Sequence, residues 1–281
     1  MAQVAIGLVN GAFYAMLSLG LSVIFGMLNV INFAHGAQYM MGAFAAWLML
    51  GFFDVPFWAS LVLAPVIVGL FGVVLERVLL NRLYHLDHLY GFLLTFGLSL
   101  VIEGLFRWQW GSSGAPYPAP ITGATDLGFM MMPTYRLFIV VAALVVCLAT
   151  WYAIERTRLG AYLRAATENP TLVRAFGINV PRLITITYGV GVGLAALAGV
   201  LAAPIQQVSA LMGTNLVLVV FAVVVIGGMG SILGSVVTGF GLGLIEGLTK
   251  LYYPPASNTV IFVVMAIVLL VKPAGLFGQT K

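Results

Sequence analysis

Long stretches without a single charged side chain constrain this chain more than any other feature of its sequence. No Asp, Glu, Lys or Arg occurs from Met1 to Phe53, from Leu137 to Ile154, or from Leu183 to Ile245. Charged residues make up 7% of the 281 residues and the mean hydropathy is +1.11, whereas soluble domains average about 25% charged residues. Because so few charges cannot cover a water-exposed surface, the composition predicts an all-α, polytopic integral membrane protein.

The apolar segments are long enough to cross a bilayer. A transmembrane helix needs roughly 20 apolar residues, and the pattern predicts about nine spans, with eight to ten as the range and some of them short or broken. The predicted spans are Val4–Phe25, Gly36–Phe53, Phe57–Leu75, Leu89–Phe106, Leu137–Ile154, Leu183–Ala203, Asn215–Met229, Ser231–Ile245 and Asn258–Val271. Residues 1–281 therefore read as one transmembrane domain, with one substantial polar segment at residues 155–182.

Basic loops predict the orientation of the chain in the membrane. Arg77 and Arg82 lie between the third and fourth predicted spans, and five arginines lie between the fifth and sixth. Because positively charged loops remain in the cytoplasm, both loops are predicted to be cytoplasmic, and counting spans from them places the N-terminus outside. Lys272 and Lys281 then lie inside only if residues 215–245 form a hairpin of two short spans. We expect that hairpin rather than a single kinked helix.

The polar segment, residues 155–182, carries the signals of a short helix. Asn169 is a favourable N-cap and Pro170 suits the first helical position. Gly177 suits the position that follows a helix C-terminus, so a helix is predicted at roughly residues 170–176. The apolar side chains of this helix are Leu172, Val173 and Phe176, and the charged side chains in and before it are Arg164, Glu168 and Arg174. Two interpretations are open: a loop that lies on anionic lipid, or a contact for a cytoplasmic partner.

Small residues recur at every fourth position near the end of the chain. They are Ser231, Ser235, Gly239, Gly243 and Gly247. Small side chains allow helix backbones to approach closely in lipid, where the hydrophobic effect does not drive helix association. The spacing therefore predicts a helix-packing face rather than a ligand site.

Four polar side chains lie between the first two apolar stretches. They are Asn29, Asn32, His35 and Gln38. Steps of three residues would place them near one face of a continuous helix, and polar groups inside a membrane need hydrogen-bond partners or a water-filled cavity. They either line part of a translocation path or its gate, or form a hydrogen-bond cluster between helices.

Two carboxylates within the apolar regions are followed by a basic residue four positions later. Glu103 precedes Arg107, and Glu246 precedes Lys250. Oppositely charged side chains at this spacing face each other on a helix, so a local ion pair is predicted in both places.

The sequence contains no motif for chemistry of its own. No GxxxxGK[ST] motif is present, so the chain has no P-loop for ATP. Its histidines form no metal-ligand pattern with Cys147 or the carboxylates, and no catalytic set can be argued from the spacing. We therefore expect a protein that is not an enzyme, binds no cofactor or metal, and does not bind nucleic acid.

Four collinear blocks resemble the permease subunits of bacterial ABC importers for branched-chain amino acids, the LivH-type family. The blocks are GMLNVINFAHGAQYMMGAF (26–44), ERTRLGAYLRAATENPTLVRAFGIN (155–179), GGMGSILGSVVTG (227–239) and KPAGLFG (272–278). Ala37 and Gln38 follow His-Gly, where the family often has an acidic residue, so no role of that carboxylate is carried over.

The resemblance implies a multi-pass subunit of the bacterial inner membrane that moves no substrate alone. A periplasmic binding protein would deliver the amino acid, and a second, related permease would complete the pathway. Two cytoplasmic ATPases would hold ATP and Mg²⁺, and residues 164–177 would be the coupling helix that contacts one of them. The alternative from another class is an ion- or proton-coupled secondary carrier, in which ionisable groups are expected in mid-span.

Overall fold

The protein is an all-helical bundle with one small hairpin. The computed structural model describes residues 2–28, 32–128 and 130–278, and Lys281 lies outside them. The helices of the described residues are α1 (Ala2–Leu28), α2 (His35–Phe53), α3 (Phe57–Val78), α4 (His88–Trp110), α5 (Thr134–Glu155), α6 (Arg158–Glu168), α7 (Pro170–Ala175), α8 (Val180–Ala202), α9 (Thr214–Gly227), α10 (Ile232–Tyr252) and α11 (Val260–Val271), with 3-10 turns at Leu80–Arg82 and Pro254–Ala256. Two antiparallel strands, β1 (Ala124–Asp126) and β2 (Met131–Pro133), form the hairpin.

Nine of these helices match the nine predicted spans. Within the described residues, seven are long and apolar enough to cross a membrane, and α9 and α11 are shorter apolar helices. At 1.5 Å per residue, the 14 residues of α9 extend over about 21 Å, less than the roughly 30 Å hydrocarbon core of a bilayer. The prediction of a polytopic all-α membrane protein with some short helices is confirmed.

Residues 215–245 form the expected hairpin. The helices α9 and α10 are joined by residues 228–231, and their backbones nearly touch where Gly227 meets Gly234. A β-carbon on Gly227 would lie 2.7 Å from the carbonyl carbon of Gly234. Because neither residue has a side chain, the chain can reverse direction here without separating the two helices.

The helix α1 lies at the centre of the bundle and packs along α10. The three glycines of α10 that face it are Gly239, Gly243 and Gly247. A β-carbon on Gly243 would lie 2.5 Å from the carbonyl oxygen of Gly7, and one on Gly247 would lie 3.0 Å from the Cα of Gly7. The predicted small-residue positions therefore lie where two backbones are in direct contact.

Ser235 continues the same contact with polar groups. Its hydroxyl hydrogen-bonds with the hydroxyl of Ser22 on α1, and its carbonyl accepts from the hydroxyl of Ser18 at 3.4 Å. All three serines are fully buried. Each hydroxyl is thus satisfied inside the bundle, as lipid-embedded polar groups require.

The helix α8 is the second central element and contacts α1, α2 and α3. It crosses α2 at Gly199, where an added β-carbon would be 3.0 Å from the amide nitrogen of Ala43. It meets α3 at Gly189, whose added β-carbon would lie 3.2 Å from the carbonyl oxygen of Gly69. Close backbone contacts therefore hold both pairs of helices together.

Three charged segments meet at one end of the bundle, which we name the charged end. Residues 79–88 and residues 166–181 line a common cavity there. Residues 272–278 reach the same end, because the amide of Leu276 donates to the carbonyl of Ile226 at 2.8 Å, next to the turn between α9 and α10. The two basic loops predicted to share one side of the membrane thus lie together, and Lys272 lies with them.

Candidate functional site

The predicted short helix forms at the charged end and is fixed at both of its ends. Helix α7 spans Pro170–Ala175, and the side-chain oxygen of Asn169 accepts the amide hydrogen of Leu172 at 2.9 Å. Gly177 has φ +81°, a left-handed conformation that side chains rarely adopt. The N-cap, the proline and the glycine therefore do what their positions in the sequence predict.

A second helix, α6, precedes α7 and was not recognised in the sequence. Its inward positions Gly160, Leu163 and Ala166 are buried at three-residue steps, the signal that could have revealed it. A β-carbon at Gly160 would overlap the carbonyl oxygen of Ile154, so only glycine allows α6 to begin this close to the end of α5.

Arg164 fastens α6 to the end of α5. Its Nη1 donates to the carbonyl of Ile154 at 3.0 Å and lies 3.4 Å from the carboxylate of Glu155. In the sequence this arginine was assigned to the contact with a partner. In the structure its contacts are with residues of this chain. Glu168, at the end of α6, is exposed.

The predicted apolar face of α7 is divided between the chain's interior and solvent. Leu172 is 54% exposed and Phe176 is 77% exposed, whereas Val173 is 5% exposed and packs with Ala166 and Val180. Val173 thus lies apart from the two exposed side chains and anchors α7 to the rest of the segment, and its predicted part in the partner contact stays a prediction. Two large apolar side chains on a fixed helix remain open to a partner.

The remaining residues predicted for this contact lie at the surface. Asn169, Pro170, Arg174 and Gly177 are all exposed. Within the described residues, the guanidinium of Arg174 forms no ion pair, since the ion pairs found there are Arg164–Glu155 and Lys250–Glu246. Arg174 is therefore a positive charge beside the two exposed apolar groups that no carboxylate of the described residues neutralises.

The polar block at the start of α2 lies inside the bundle. Asn32, His35 and Gln38 are each at most 1% exposed. The amide nitrogen of Asn32 donates to Gln38 at 3.1 Å, and Gln38 donates to the hydroxyl of Tyr188 on α8 at 3.3 Å. Asn29, the fourth member of the predicted set, lies outside the described residues.

His35 is held against the backbone of α1. Its Nε2 lies 3.0 Å from the carbonyl oxygen of Leu17, and its Nδ1 has no hydrogen-bond partner among the described residues. In the described conformation, this burial favours the interpretation of a hydrogen-bond cluster between helices over that of side chains lining a translocation path. The role of these side chains in translocation stays a prediction.

The two predicted ion pairs have different outcomes. The pair between Glu246 and Lys250 is present, with Nζ 2.5 Å from Oε1, and the hydroxyl of Tyr14 donates to the same carboxylate at 2.7 Å. The prediction of a pair between Glu103 and Arg107 is wrong. Glu103 is 7% exposed, and its carboxylate accepts a hydrogen bond from the hydroxyl of Thr214, the first residue of α9, at 2.5 Å. A distant hydroxyl thus replaces the neighbouring cation.

A third buried carboxylate, Glu76, was missed because it follows the last apolar residue of its predicted span. It is 1% exposed and accepts from the hydroxyls of Thr185 at 2.7 Å and Tyr84 at 2.8 Å. It lies two residues before the end of α3. Glu76 joins the loop of residues 79–88 to α8 at the charged end.

Comparison with known proteins identifies the family. The family model for the permease component of branched-chain amino acid transport systems matches residues 3–270. The chain belongs to this family. Its members include the high-affinity branched-chain amino acid permease LivH of Escherichia coli K12, 29% identical over 98% of this chain and 94% of LivH. The corresponding permease BraD of Pseudomonas aeruginosa is 27% identical over 99% of this chain and 96% of its own length.

A more distant likeness covers only part of the chain. The ribose import permease RbsC of Escherichia coli K12 is 33% identical over 44% of this chain and 42% of RbsC. No solved structure matches the chain significantly. Full-length similarity is therefore to amino-acid permeases of this family, which are transport components and multi-pass membrane proteins.

Proposed function

We propose that this chain is one of two permease subunits of an ATP-driven importer for branched-chain or closely related amino acids in a bacterial inner membrane. A periplasmic binding protein delivers the substrate, and two cytoplasmic ATPases bind ATP and Mg²⁺. The chain itself binds no cofactor. Membership of the permease family supports this assignment, as does similarity over nearly the whole chain to permeases for branched-chain amino acids.

The observation that carries the mechanism is the exposure of Leu172 and Phe176 on a helix that is fixed at both ends. An ATPase can move transmembrane helices only through a contact that transmits force. Helix α7 offers two apolar anchors for a groove in a partner, and large buried anchors dominate the energy of protein interfaces. Asn169 and Gly177 hold its ends, and Val173 holds its inner side.

Force on α7 has two routes into the bundle. Residues 176–179 connect α7 directly to α8, which contacts α1, α2 and α3. The preceding helix α6 contacts α1 and is tied to the end of α5 through Arg164. A rigid displacement of α6 and α7 would therefore move the two central helices of the bundle together.

The test is assembly and coupling of the complete complex reconstituted in lipid vesicles. Replacing Phe176 by alanine removes the most exposed anchor, with a loss of about 2 kcal/mol or more expected for an interface hot spot. Arg174→Glu reverses the positive charge beside it. Both variants should insert normally, bind the ATPases more weakly, and lose the stimulation of ATP hydrolysis by loaded binding protein.

Phe53→Ala is the matched control, since Phe53 is also 77% exposed but lies at the end of α2, away from the charged end. It should retain the ATPases on co-purification. Wild-type retention and stimulation in both α7 variants would refute the coupling role and return residues 155–182 to the lipid surface. Absence of binding-protein-dependent uptake by the wild-type complex would refute the importer itself.

A further inference from the structure

A cavity of about 460 Å³ lies at the charged end, between the loop that precedes α4 and the segment that carries α7. This volume falls within the range of about 300–1,000 Å³ found for small-molecule sites. Its lining residues come from α3, α4, α6, α7 and α8 and from the loop of residues 79–88. The cavity is thus bounded by both the transmembrane bundle and the proposed coupling helix.

The lining of the cavity includes a buried carboxylate that has no cationic partner among the described residues. Glu76 is held by the hydroxyls of Thr185 and Tyr84, and neither ion pair found among the described residues includes it. Burial, followed by the hydrogen bond to Glu76, raises the pKa of Tyr84 well above its usual range, so this hydroxyl stays protonated as a donor. Each carboxylate oxygen can accept two hydrogen bonds, which leaves room for another donor.

The rim of the cavity carries the opposite charge. Arg174 projects from α7 into the lining and forms no ion pair with the described residues. The lining also contains apolar side chains, among them Leu80, Val180 and Ile184, together with polar ones such as Asp87 and His88. A guanidinium binds a carboxylate through two parallel hydrogen bonds, and a buried carboxylate favours an ammonium group that neutralises it.

We propose that this cavity binds a free aliphatic α-amino acid, with its ammonium group at Glu76, its carboxylate at Arg174 and its side chain against the apolar side chains of the lining. The bound amino acid would connect α7 to the end of α3 and so restrain the movement of the coupling helix. Resting on the proposed function, this makes the cavity a product site: the imported amino acid, once inside, lowers the rate of its own import.

Inverted vesicles test this directly. The complex is reconstituted with its ATPases outward, and the lumen is loaded with binding protein and leucine. ATP hydrolysis is measured while leucine is added outside. Stimulated hydrolysis should fall as external leucine rises, and neither leucinamide, which lacks the carboxylate, nor 4-methylpentanoate, which lacks the ammonium group, should reproduce the effect at the same concentration.

Two variants assign the effect to the cavity. Glu76→Gln removes the charge and should shift the inhibitory concentration of leucine about tenfold or more upward, as expected for loss of a charge-assisted hydrogen bond. Asn81→Trp places a large group at an exposed position of the lining and should block entry without altering the core. Binding of radiolabelled leucine to the detergent-purified complex, without binding protein, should fall in parallel in both variants.

The outcomes separate the two proposals. If lumenal binding protein stimulates hydrolysis but external leucine neither inhibits nor binds, the product site is refuted and the importer stands. Inhibition that is unchanged in both variants would overturn the assignment to this cavity, and equal inhibition by leucinamide or 4-methylpentanoate would overturn the zwitterionic ligand. If wild-type hydrolysis never responds to binding protein, the importer is refuted instead.

Discussion

Replacing Gly243 by alanine should loosen the contact between α1 and α10, on which the centre of the bundle depends. The new methyl group would lie 2.5 Å from the carbonyl oxygen of Gly7 and closer still to the backbone of Gly11, whereas ordinary contacts lie at 3.4–4 Å. No flexible side chain is present to move aside, because these neighbours are backbone atoms. The two helices must therefore separate by roughly 1 Å, against the close packing that holds a membrane bundle together.

The magnitude follows from two opposing effects. Overpacking a well-packed contact costs about 1–3 kcal/mol, while alanine in a helix interior gains up to about 1 kcal/mol over glycine. Gly241 lies two residues away on the same helix, and an added β-carbon there meets nothing within 4 Å. Gly241→Ala receives the same helix gain without the clash. Because that gain is common to both variants, they should differ by the overpacking cost alone, about 1–3 kcal/mol.

The assay is the temperature at which half of the detergent-purified permease loses its monodisperse peak on size-exclusion chromatography. For a chain of this size, that energy difference should place the midpoint of Gly243→Ala about 2–6 °C below that of Gly241→Ala. Gly243→Leu should prevent assembly altogether, because the larger side chain forces the helices further apart. Equal midpoints for the two alanine variants, or a normal yield of Gly243→Leu, would refute the packing argument.

Two further predictions concern a buried acid and the orientation of the chain. Glu103→Gln should destabilise the purified protein by about 1–3 kcal/mol, because a buried charge-assisted hydrogen bond is weakened. Arg107→Gln should change the stability by less than about 0.5 kcal/mol. Equal losses of stability in thermal unfolding would instead support the local ion pair. In a cysteine-free background, single cysteines at Arg158 and Ser113 should react with a membrane-impermeant thiol reagent only from the cytoplasmic and the periplasmic side, respectively. Equal labelling of both from the periplasm would contradict the orientation.

The sequence by itself determined the features that depend on solvation or on near neighbours in the chain. Long segments without charge are poorly solvated by water, so the apolar runs predict the membrane helices. Their ends shift in the structure by up to seven residues, the largest shift being at the end of α10. The short helix α7 was equally predictable, because Asn169 and Gly177 act on backbone atoms within three residues of themselves. The spacing of Gly239 and Gly243 likewise predicted a packing face, although not the helix that it meets.

Tertiary structure alone decided which partner a buried carboxylate would find, because that partner can lie far away in the sequence. Glu103 pairs with Thr214, 111 residues away, and Glu76 pairs with Thr185, 109 residues away. For Glu103 the sequence favoured Arg107, four positions along, and Glu76 was missed, since local spacing says nothing about which helix lies opposite. The same limit applies to Val173, whose burial depends on Ala166 and Val180 folding back beside it.

The interior position of Asn32, His35 and Gln38 has the same origin. Polar groups in a membrane need hydrogen-bond partners or water. The sequence shows that these three side chains have this requirement, but it does not show which groups fulfil it. Folding brought the hydroxyl of Tyr188, 150 residues from Gln38, within hydrogen-bond distance. The sequence therefore shows which buried polar groups need a hydrogen-bond partner, and the packing of the helices decides which residue is that partner. In lipid, a buried polar group is satisfied by the helix that packs against it.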